Sequence, residues 1–207
     1  MWPGPDGCQP GGGRAVAGRL MERELDFLRE SLRDPERPFV SLMGGAKISG
    51  KIDLIEAILP RVDALLVGGA MANTFLRALG LETGDSLVEE DRVEMAAELL
   101  ERGADRIVLP VDCVVAGEIS GDATTRIVER DALAPGDRVA DVGPRTRALF
   151  AGHIESARTV VWNGPMGVFE LAPFADGTFE VARAVARATG NGALTVVGGG
   201  DSAAAAE

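Results

Sequence analysis

The sequence predicts an α/β fold built on a doubly wound, Rossmann-like parallel sheet with helices on both faces. Short apolar runs alternate with segments whose apolar residues recur at helical spacing, and this alternation is typical of parallel sheets. Aromatic residues make up only 4% of the chain and apolar residues 46%, so the core is aliphatic. Continuous Val- and Leu-rich runs suit strands that are buried on both faces.

The first half of the chain has clear helix and strand boundaries. Asp34-Pro35 ends a first helical pattern, Ser49 is expected to cap the second helix, and Pro60 ends it. Glycines end the next two helices. The predicted elements are a helix at 20–32, a strand at 39–43, a helix at 49–59, a strand at 64–67, a helix at 71–79, a helix at 89–102 and a strand region at 106–115 bent at Pro110.

The second half continues the alternation after a polar, turn-rich stretch at 116–138. Gly143-Pro144 leads into one helix, and Gly190 and Gly192 end another. The predicted elements are a short strand at 126–128, a strand at 139–142, a helix at 145–153, a strand at 159–162, a helix at 176–188, a strand at 193–197 and a helix opened by Asp201-Ser202.

The domain organisation follows from composition. Residues 1–17 are rich in Gly and Pro and have no periodicity, so we expect a disordered N-terminal segment. Residues 18–207 then form one α/β domain, which we expect to be incomplete at its C-terminus because the last helical pattern stops within a few residues.

Charge and cysteine content exclude several classes of function. The net charge of −11 disfavours nucleic acids and anionic membranes, because both need a basic face. Two cysteines are too few for a disulfide framework, and Cys113 lies in an apolar run typical of an inert core thiol. The sequence contains neither a membrane span nor an apolar signal core. We therefore expect a cytoplasmic, monomeric protein.

Glycine-rich breaks follow the carboxyl ends of the predicted strands, where ligands of open α/β sheets bind. The five breaks are Gly44-Gly45, Gly68-Gly69, Gly143, Gly164 and 198–200. They predict a binding site along one edge of the sheet.

The chain's only two lysines, Lys47 and Lys51, lie in the first of these loops. A lysine beside a glycine-rich strand-to-helix turn suits a phosphate chain. Two solvated surface charges four residues apart are the alternative. Residues 45–51 also satisfy G-x-x-x-x-G-K, but Ile52 stands where a P-loop needs the Ser or Thr that binds Mg²⁺.

Five longer motifs occur in order along the chain. They are G-G-A-K-I-S-G-K at 44–51, G-G-A-M-A-N-T-F at 68–75, L-P-V-D-C-V-V at 109–115, V-W-N-G-P-M-G-V-F-E at 161–170 and V-G-G-G-D-S at 197–202. Together they resemble the C-terminal, nucleotide-binding domain of phosphoglycerate kinases, and S-L-V-E-E at 86–90 is also similar. The resemblance covers roughly residues 18–207 and implies phosphoryl transfer between 1,3-bisphosphoglycerate and ADP, giving 3-phosphoglycerate and ATP.

The resemblance implies that this chain supplies the MgADP/MgATP half of the site. The family's N-terminal domain, which holds the phosphoglycerate, is missing, so we expect the chain alone to be inactive. Two alternatives are a stand-alone nucleotide-binding fragment and a P-loop-type NTPase.

Roles for individual residues also follow from the resemblance. Lys47 matches the lysine at the transferring phosphoryl group, Gly199 and Gly200 close the catalytic loop, and Asp201 matches the Mg²⁺ ligand, although it could be only a helix cap. Asp112 matches a family position whose role the sequence does not reveal. The expected nucleotide-binding residues are Gly45, Lys51, Gly68, Gly69, Gly143, Asn163, Pro165, Gly167, Val168, Glu170, Gly198, Gly199, Gly200, Asp201 and Ser202.

Overall fold

A five-stranded parallel sheet organises the fold. The structure, a computed structural model, describes residues 34–206. The parallel sheet has strand order β3-β2-β1-β7-β8. Its strands are β1 (Phe39–Met43), β2 (Ala64–Val67), β3 (Ile107–Val108), β7 (Thr159–Asn163) and β8 (Leu194–Gly198). The segment at 1–17 and the predicted helix at 20–32 lie outside the described residues.

The described residues contain six α-helices. They are α1 (Ile52–Ile58), α2 (Met71–Ala78), α3 (Val93–Gly103), α4 (Pro144–Ser156), α5 (Asp176–Gly190) and α6 (Gly200–Ala206). Short 3₁₀ turns at Glu90–Arg92, Ala104–Arg106 and Ala172–Phe174 complete the helical segments of the described chain.

The chain winds outward from β1 in both directions, which confirms the doubly wound fold. Strands β2 and β3 lie on one side of β1, and β7 and β8 lie on the other. Because such crossovers are right-handed, connections running in opposite directions place their helices on opposite faces. The strand order therefore reverses between β1 and β7, where a crevice opens at the carboxyl ends of the strands.

The core between the sheet and helices α4 and α5 is tightly buried. Alternate residues of a strand point to one face, so Val40 and Leu42 of β1 share a cluster with Val160 and Trp162 of β7. Trp162 is fully buried there. Fully burying an aliphatic or aromatic side chain contributes about 1.5–3 kcal/mol, so this layer holds the central strands firmly in register.

The prediction of a single strand region at 106–115 is wrong. The structure divides it into β3 (Ile107–Val108) and β4 (Asp112–Ala116), which belong to different sheets. Pro110 lies between them, and proline cannot donate a hydrogen bond to a neighbouring strand. Strand β4 pairs antiparallel with β5 (Arg126–Glu129) and with β6 (Arg138–Val142).

This second sheet also corrects the prediction for Gly143. Gly143 follows β6, so it does not lie on the carboxyl edge of the parallel sheet as expected. Parallel and antiparallel strands differ in their connections, since only parallel strands need a crossover. The composition of the short run at 139–142 does not reveal which strands it pairs with. The other four glycine-rich breaks follow β1, β2, β7 and β8.

The predicted helix cap at Ser49 is wrong, and the alternative of a cap at Asp201 does not hold. Helix α1 begins at Ile52, and Ser49 does not cap it, because the Ser49 hydroxyl donates to the Glu89 carboxylate. Helix α6 begins at Gly200, so Asp201 lies inside its first turn. The first backbone hydrogen bond of α6 runs from Ala203 N to Gly199 O at 3.1 Å. Among the described residues, no helix combines the length and apolarity needed to span a bilayer.

Asp112 anchors helix α4 to the second sheet. Its buried carboxylate accepts hydrogen bonds from the backbone N–H groups of Arg145 at 3.0 Å and Thr146 at 2.7 Å. The Thr146 hydroxyl lies 2.6 Å from the same carboxylate. These N–H groups belong to the first turn of α4, where a negative charge is favourable. The position that the sequence left without a role is therefore a helix anchor.

Replacing Asp112 with alanine should destabilise the chain by about 3 kcal/mol. The substitution leaves the buried N–H of Thr146 and the part-buried N–H of Arg145 without an acceptor, and each lost bond to a charged group is costly. The free energy of unfolding from urea titration measures the loss. Asp131→Ala is the matched control, because Asp131 is exposed. Equal stability of the two variants would contradict the anchoring role.

Candidate functional site at the carboxyl edge of the parallel sheet

The loops after β1, β2 and β7 are joined by backbone hydrogen bonds at the carboxyl edge of the sheet. Gly45 N donates to Pro165 O and Gly69 N donates to Met166 O, both at 2.9 Å. Met71 N donates to Gly45 O at 3.0 Å. The three loops therefore form one rigid unit above the crevice.

Gly44 and Gly164 allow this close approach. A Cβ on Gly44 would lie 2.1 Å from Pro165 O, well inside the closest contact that a carbon atom makes. A Cβ on Gly164 would lie 2.4 Å from Gly44 O, and its φ of 96° also favours glycine. No larger residue fits either position without moving a loop.

The Lys51 ammonium group connects the ends of β1 and β7. Its Nζ donates to Gly44 O at 2.6 Å and to Asn163 O at 2.9 Å. Burial lowers the pKa of Lys51, and the charge of Asp201 acts in the opposite direction. A half-buried cation at the crevice favours an anion in the adjoining space.

Two adjoining clefts lie along this edge. The apolar cleft, of about 260 Å³, has mainly small and aliphatic walls, and the lysine cleft, of about 300 Å³, contains both lysines. They share Gly45, Ala46, Pro165 and Asp201, so they form one continuous groove. The apolar cleft is lined by Gly45, Ala46, Gly69, Ala70, Ala72, Asn73, Leu76, Pro110, Cys113, Val139, Ala140, Asp141, Val142, Pro165, Met166, Gly167, Val168, Glu170 and Asp201. The lysine cleft is lined by Gly45, Ala46, Lys47, Gly50, Lys51, Asn163, Gly164, Pro165, Gly199, Gly200, Asp201 and Ser202.

The charged and hydroxyl groups of the lysine cleft differ in accessibility. Lys47 and Asp201 are exposed to solvent. Ser202 is fully buried, and its hydroxyl accepts a hydrogen bond from Gly164 N at 2.7 Å. Ser202 therefore ties α6 to the loop after β7, in addition to lining the cleft.

Comparison with known sequences identifies the family. The sequence model of the phosphoglycerate kinase family matches residues 11–207. This chain belongs to that family. The phosphoglycerate kinase of Chloroflexus aggregans is 57% identical over 197 residues, which are 93% of this chain and 49% of that protein. The phosphoglycerate kinase of Chlorobaculum tepidum is 54% identical over 194 residues, which are 92% of this chain and 49% of that protein.

Solved phosphoglycerate kinases share the fold. The Coxiella burnetii enzyme superposes with a TM-score of 0.86 at 43% identity, covering 91% of this chain and 48% of that chain. The enzyme from Pyrococcus horikoshii superposes with a TM-score of 0.77 at 32% identity, again covering 91% of this chain and 48% of that chain. The chain thus spans about half the length of the phosphoglycerate kinases it matches.

Most of the residues chosen from the family motifs line the groove, and three do not. Gly68, Gly143 and Gly198 line neither cleft. A Cβ on Gly68 would lie 2.5 Å from the Met166 sulfur, and a Cβ on Gly143 would lie 2.3 Å from the Asp112 carboxyl carbon. Gly198 ends β8 beside Asn163. These three glycines therefore allow close packing of neighbouring segments rather than lining a cleft.

Sequence reasoning missed Asp141, which lines the apolar cleft and is buried. Its Oδ2 accepts a hydrogen bond from Gly177 N at 2.7 Å, in the first turn of α5. Its Oδ1 has no hydrogen-bond partner within the described part of the chain. Burial raises the pKa of Asp141 to about 7. The signal available in the sequence was a lone aspartate in an otherwise apolar run before Gly143.

The Cys113 thiol also lies in the wall of the apolar cleft. It is buried and free, as the sequence predicts. Burial raises its pKa to about 12, with the Asp112 carboxylate acting in the same direction. The thiol is therefore protonated and unreactive at neutral pH, and contributes only packing to the cleft.

The titration of Asp141 predicts a decline in stability between pH 4 and pH 7. The folded chain keeps a proton that the unfolded chain loses, because the folded pKa of about 7 exceeds the ordinary value of 3.8. This contribution is fully present below pH 3.8 and is lost as the pH rises through about 7. At about 1.4 kcal/mol per unit, the loss is at most about 4 kcal/mol.

Asp141→Asn should remove this decline. Urea titrations across pH 4–8 measure the free energy of unfolding of both proteins. We expect the free energy of unfolding of the variant to increase relative to that of the parent as the pH rises. Asp105→Asn, at an exposed position, is the control and should keep a constant difference. A constant difference for Asp141→Asn would show that the carboxyl group titrates normally.

Proposed function

We propose that this chain forms the MgADP- and MgATP-binding half of a phosphoglycerate kinase. The proposed reaction transfers a phosphoryl group between 1,3-bisphosphoglycerate and ADP and gives 3-phosphoglycerate and ATP. One observation carries the proposal: both lysines of the chain line a single cleft at the point where the strand order reverses. That crevice is the usual ligand site of an open α/β sheet.

We assign the lysine cleft to the phosphate chain of the nucleotide. Phosphoryl transfer depends on positioning and on neutralising phosphate charge. We assign the exposed Lys47 to the transferring phosphoryl group, whereas the half-buried Lys51 supplies a positive charge held by Gly44 O and Asn163 O. Gly199 and Gly200 line the same cleft at the start of α6.

We assign the apolar cleft to the base and ribose. Its walls include Gly69, Val168 and the aliphatic residues of β6, which suit the flat faces of a purine. Glu170 is exposed at the same cleft, and a carboxylate accepts hydrogen bonds from paired ribose hydroxyl groups. Asn163, Pro165 and Gly167 connect the two clefts through the loop after β7.

Magnesium fits this arrangement only together with the nucleotide. The described residues contain no group of three or more His, Cys, Asp or Glu side chains that could hold a metal ion. Mg²⁺ is commonly bound by one or two carboxylates together with phosphates and water, so the exposed Asp201 beside the lysine cleft is sufficient. When bound, Mg²⁺ neutralises phosphate charge.

The geometry disfavours the alternative of a P-loop-type NTPase. A P-loop cradles phosphates with free backbone N–H groups. Here the N–H groups of Ile48 and Ser49 both donate to the Glu89 carboxylate. Ile52 also lacks the hydroxyl group that such a loop needs for Mg²⁺. Membership of the phosphoglycerate kinase family argues in the same direction.

We expect this chain alone to bind nucleotide without phosphoglycerate-dependent turnover. Transfer requires both substrates to be brought together by closure between two domains, and the groove accounts only for the nucleotide. A coupled spectrophotometric assay with 3-phosphoglycerate and MgATP measures ADP formation. Robust activity of the purified chain would refute the assignment of the phosphoglycerate site to another domain.

Lys51→Ala should weaken MgADP binding about tenfold or more, because it removes a desolvated charge beside the phosphate cleft. Isothermal titration calorimetry measures the dissociation constant, and circular dichroism verifies that the variant is folded. The matched control is Arg158→Ala, an exposed cation that precedes β7 at the opposite edge of the sheet. Equal affinities for Lys51→Ala and the parent chain would contradict the assigned role.

A further inference from the structure

The Glu89 carboxylate holds the loop that contains Lys47. It accepts hydrogen bonds from the backbone N–H groups of Ile48 and of Ser49, the latter at 3.2 Å. The Ser49 hydroxyl donates to the other carboxylate oxygen at 2.5 Å. Burial raises the pKa of Glu89, but the bonds from Ser49 and Ile48 and the nearby Lys47 charge outweigh it, so the pKa lies below its ordinary value.

Glu89 is itself fixed to helix α2. Its backbone N–H donates to the Thr74 hydroxyl at 3.1 Å, and the Asn73 side-chain amide donates to Leu87 O at 3.2 Å. Thr74 and Asn73 are both buried. Asn73 also lines the apolar cleft. Helix α2 therefore borders the apolar cleft and, through Glu89, supports the loop of the lysine cleft.

The loop needs this support. Residues 44–51 precede α1 and do not form a regular helix or strand. Gly45 N is bonded to Pro165 O at one end of the loop, and Lys51 N is bonded to Ile48 O at 2.7 Å at the other. Between them, the Glu89 carboxylate fixes the two residues that follow Lys47 directly.

We propose that Glu89 is a positioning residue that orients Lys47 over the lysine cleft and thereby sets the preference for MgATP over MgADP. This inference rests on the proposed function, in which Lys47 serves the terminal, transferring phosphoryl group. Three donors and the nearby Lys47 compensate the carboxylate charge, so Glu89 can lie near phosphate without repelling it.

Calorimetric titration of the full chain with MgATP, MgADP and AMP tests the proposal. Glu89→Gln removes the negative charge and replaces one acceptor oxygen with an NH₂ donor. We expect the ratio of MgATP to MgADP affinity to fall about tenfold, while AMP affinity stays unchanged. Glu90→Gln is the matched control, because Glu90 is exposed and its ion pair with Arg77 spans 3.7 Å at the surface.

A double-mutant cycle with Lys47→Ala identifies the route of the effect. If Glu89 acts through Lys47, Glu89→Gln should change the affinity ratio little further in the Lys47→Ala background. Ser49→Ala removes a single donor to Glu89 at an exposed position. It should lower the ratio of MgATP to MgADP affinity about threefold, and it replaces Glu89→Gln in the test if that variant does not fold.

The outcomes separate the two proposals. An equal loss of MgATP, MgADP and AMP binding in Glu89→Gln would mean a merely structural role and overturn the positioning proposal, while the proposed function stands. An unchanged ratio in both Glu89→Gln and Ser49→Ala would also overturn it. Failure of the parent chain to bind any of the three nucleotides would refute both proposals.

Discussion

The ammonium group of Lys51 between the ends of β1 and β7 is the interaction on which the site depends. It donates hydrogen bonds to the carbonyl oxygens of Gly44, which directly follows β1, and of Asn163, the last residue of β7. Those carbonyls belong to loops that approach each other too closely for any side chain at Gly44 or Gly164. The positive charge therefore stabilises a junction of two loops and also faces the groove. Loop packing and the positive charge of the lysine cleft therefore depend on the same group.

The second sheet contributes to the groove by a different means. Strand β4 holds the N-terminus of α4 through Asp112, and β6 holds the N-terminus of α5 through Asp141. Both side chains are buried, and each accepts a backbone hydrogen bond in the first turn of a helix. The antiparallel sheet is thus attached to these two helices by hydrogen bonds. This attachment places the apolar residues of β6 in the wall of the apolar cleft.

Much of the fold could be predicted from the sequence because its signals are local. Apolar runs and glycines located β1, β2, β7 and β8, and the family motifs brought Lys47, Lys51 and Asp201 to one groove. The errors came from long-range pairing. Nothing local distinguishes β4 and β6, which pair antiparallel with each other, from strands of the main sheet. Likewise, Ser49 has the local features of a helix cap, but its partner Glu89 lies 40 residues away.

The buried thiol of Cys113 has a practical consequence. With a pKa of about 12, it is almost entirely protonated at neutral pH and is shielded from alkylating reagents in the native state. Modification therefore requires local opening of β4 and the wall of the apolar cleft. Its labelling rate would report the free energy of that opening, in the manner of native-state hydrogen exchange. The labelling rate of Cys113 therefore measures how often the wall of the apolar cleft opens.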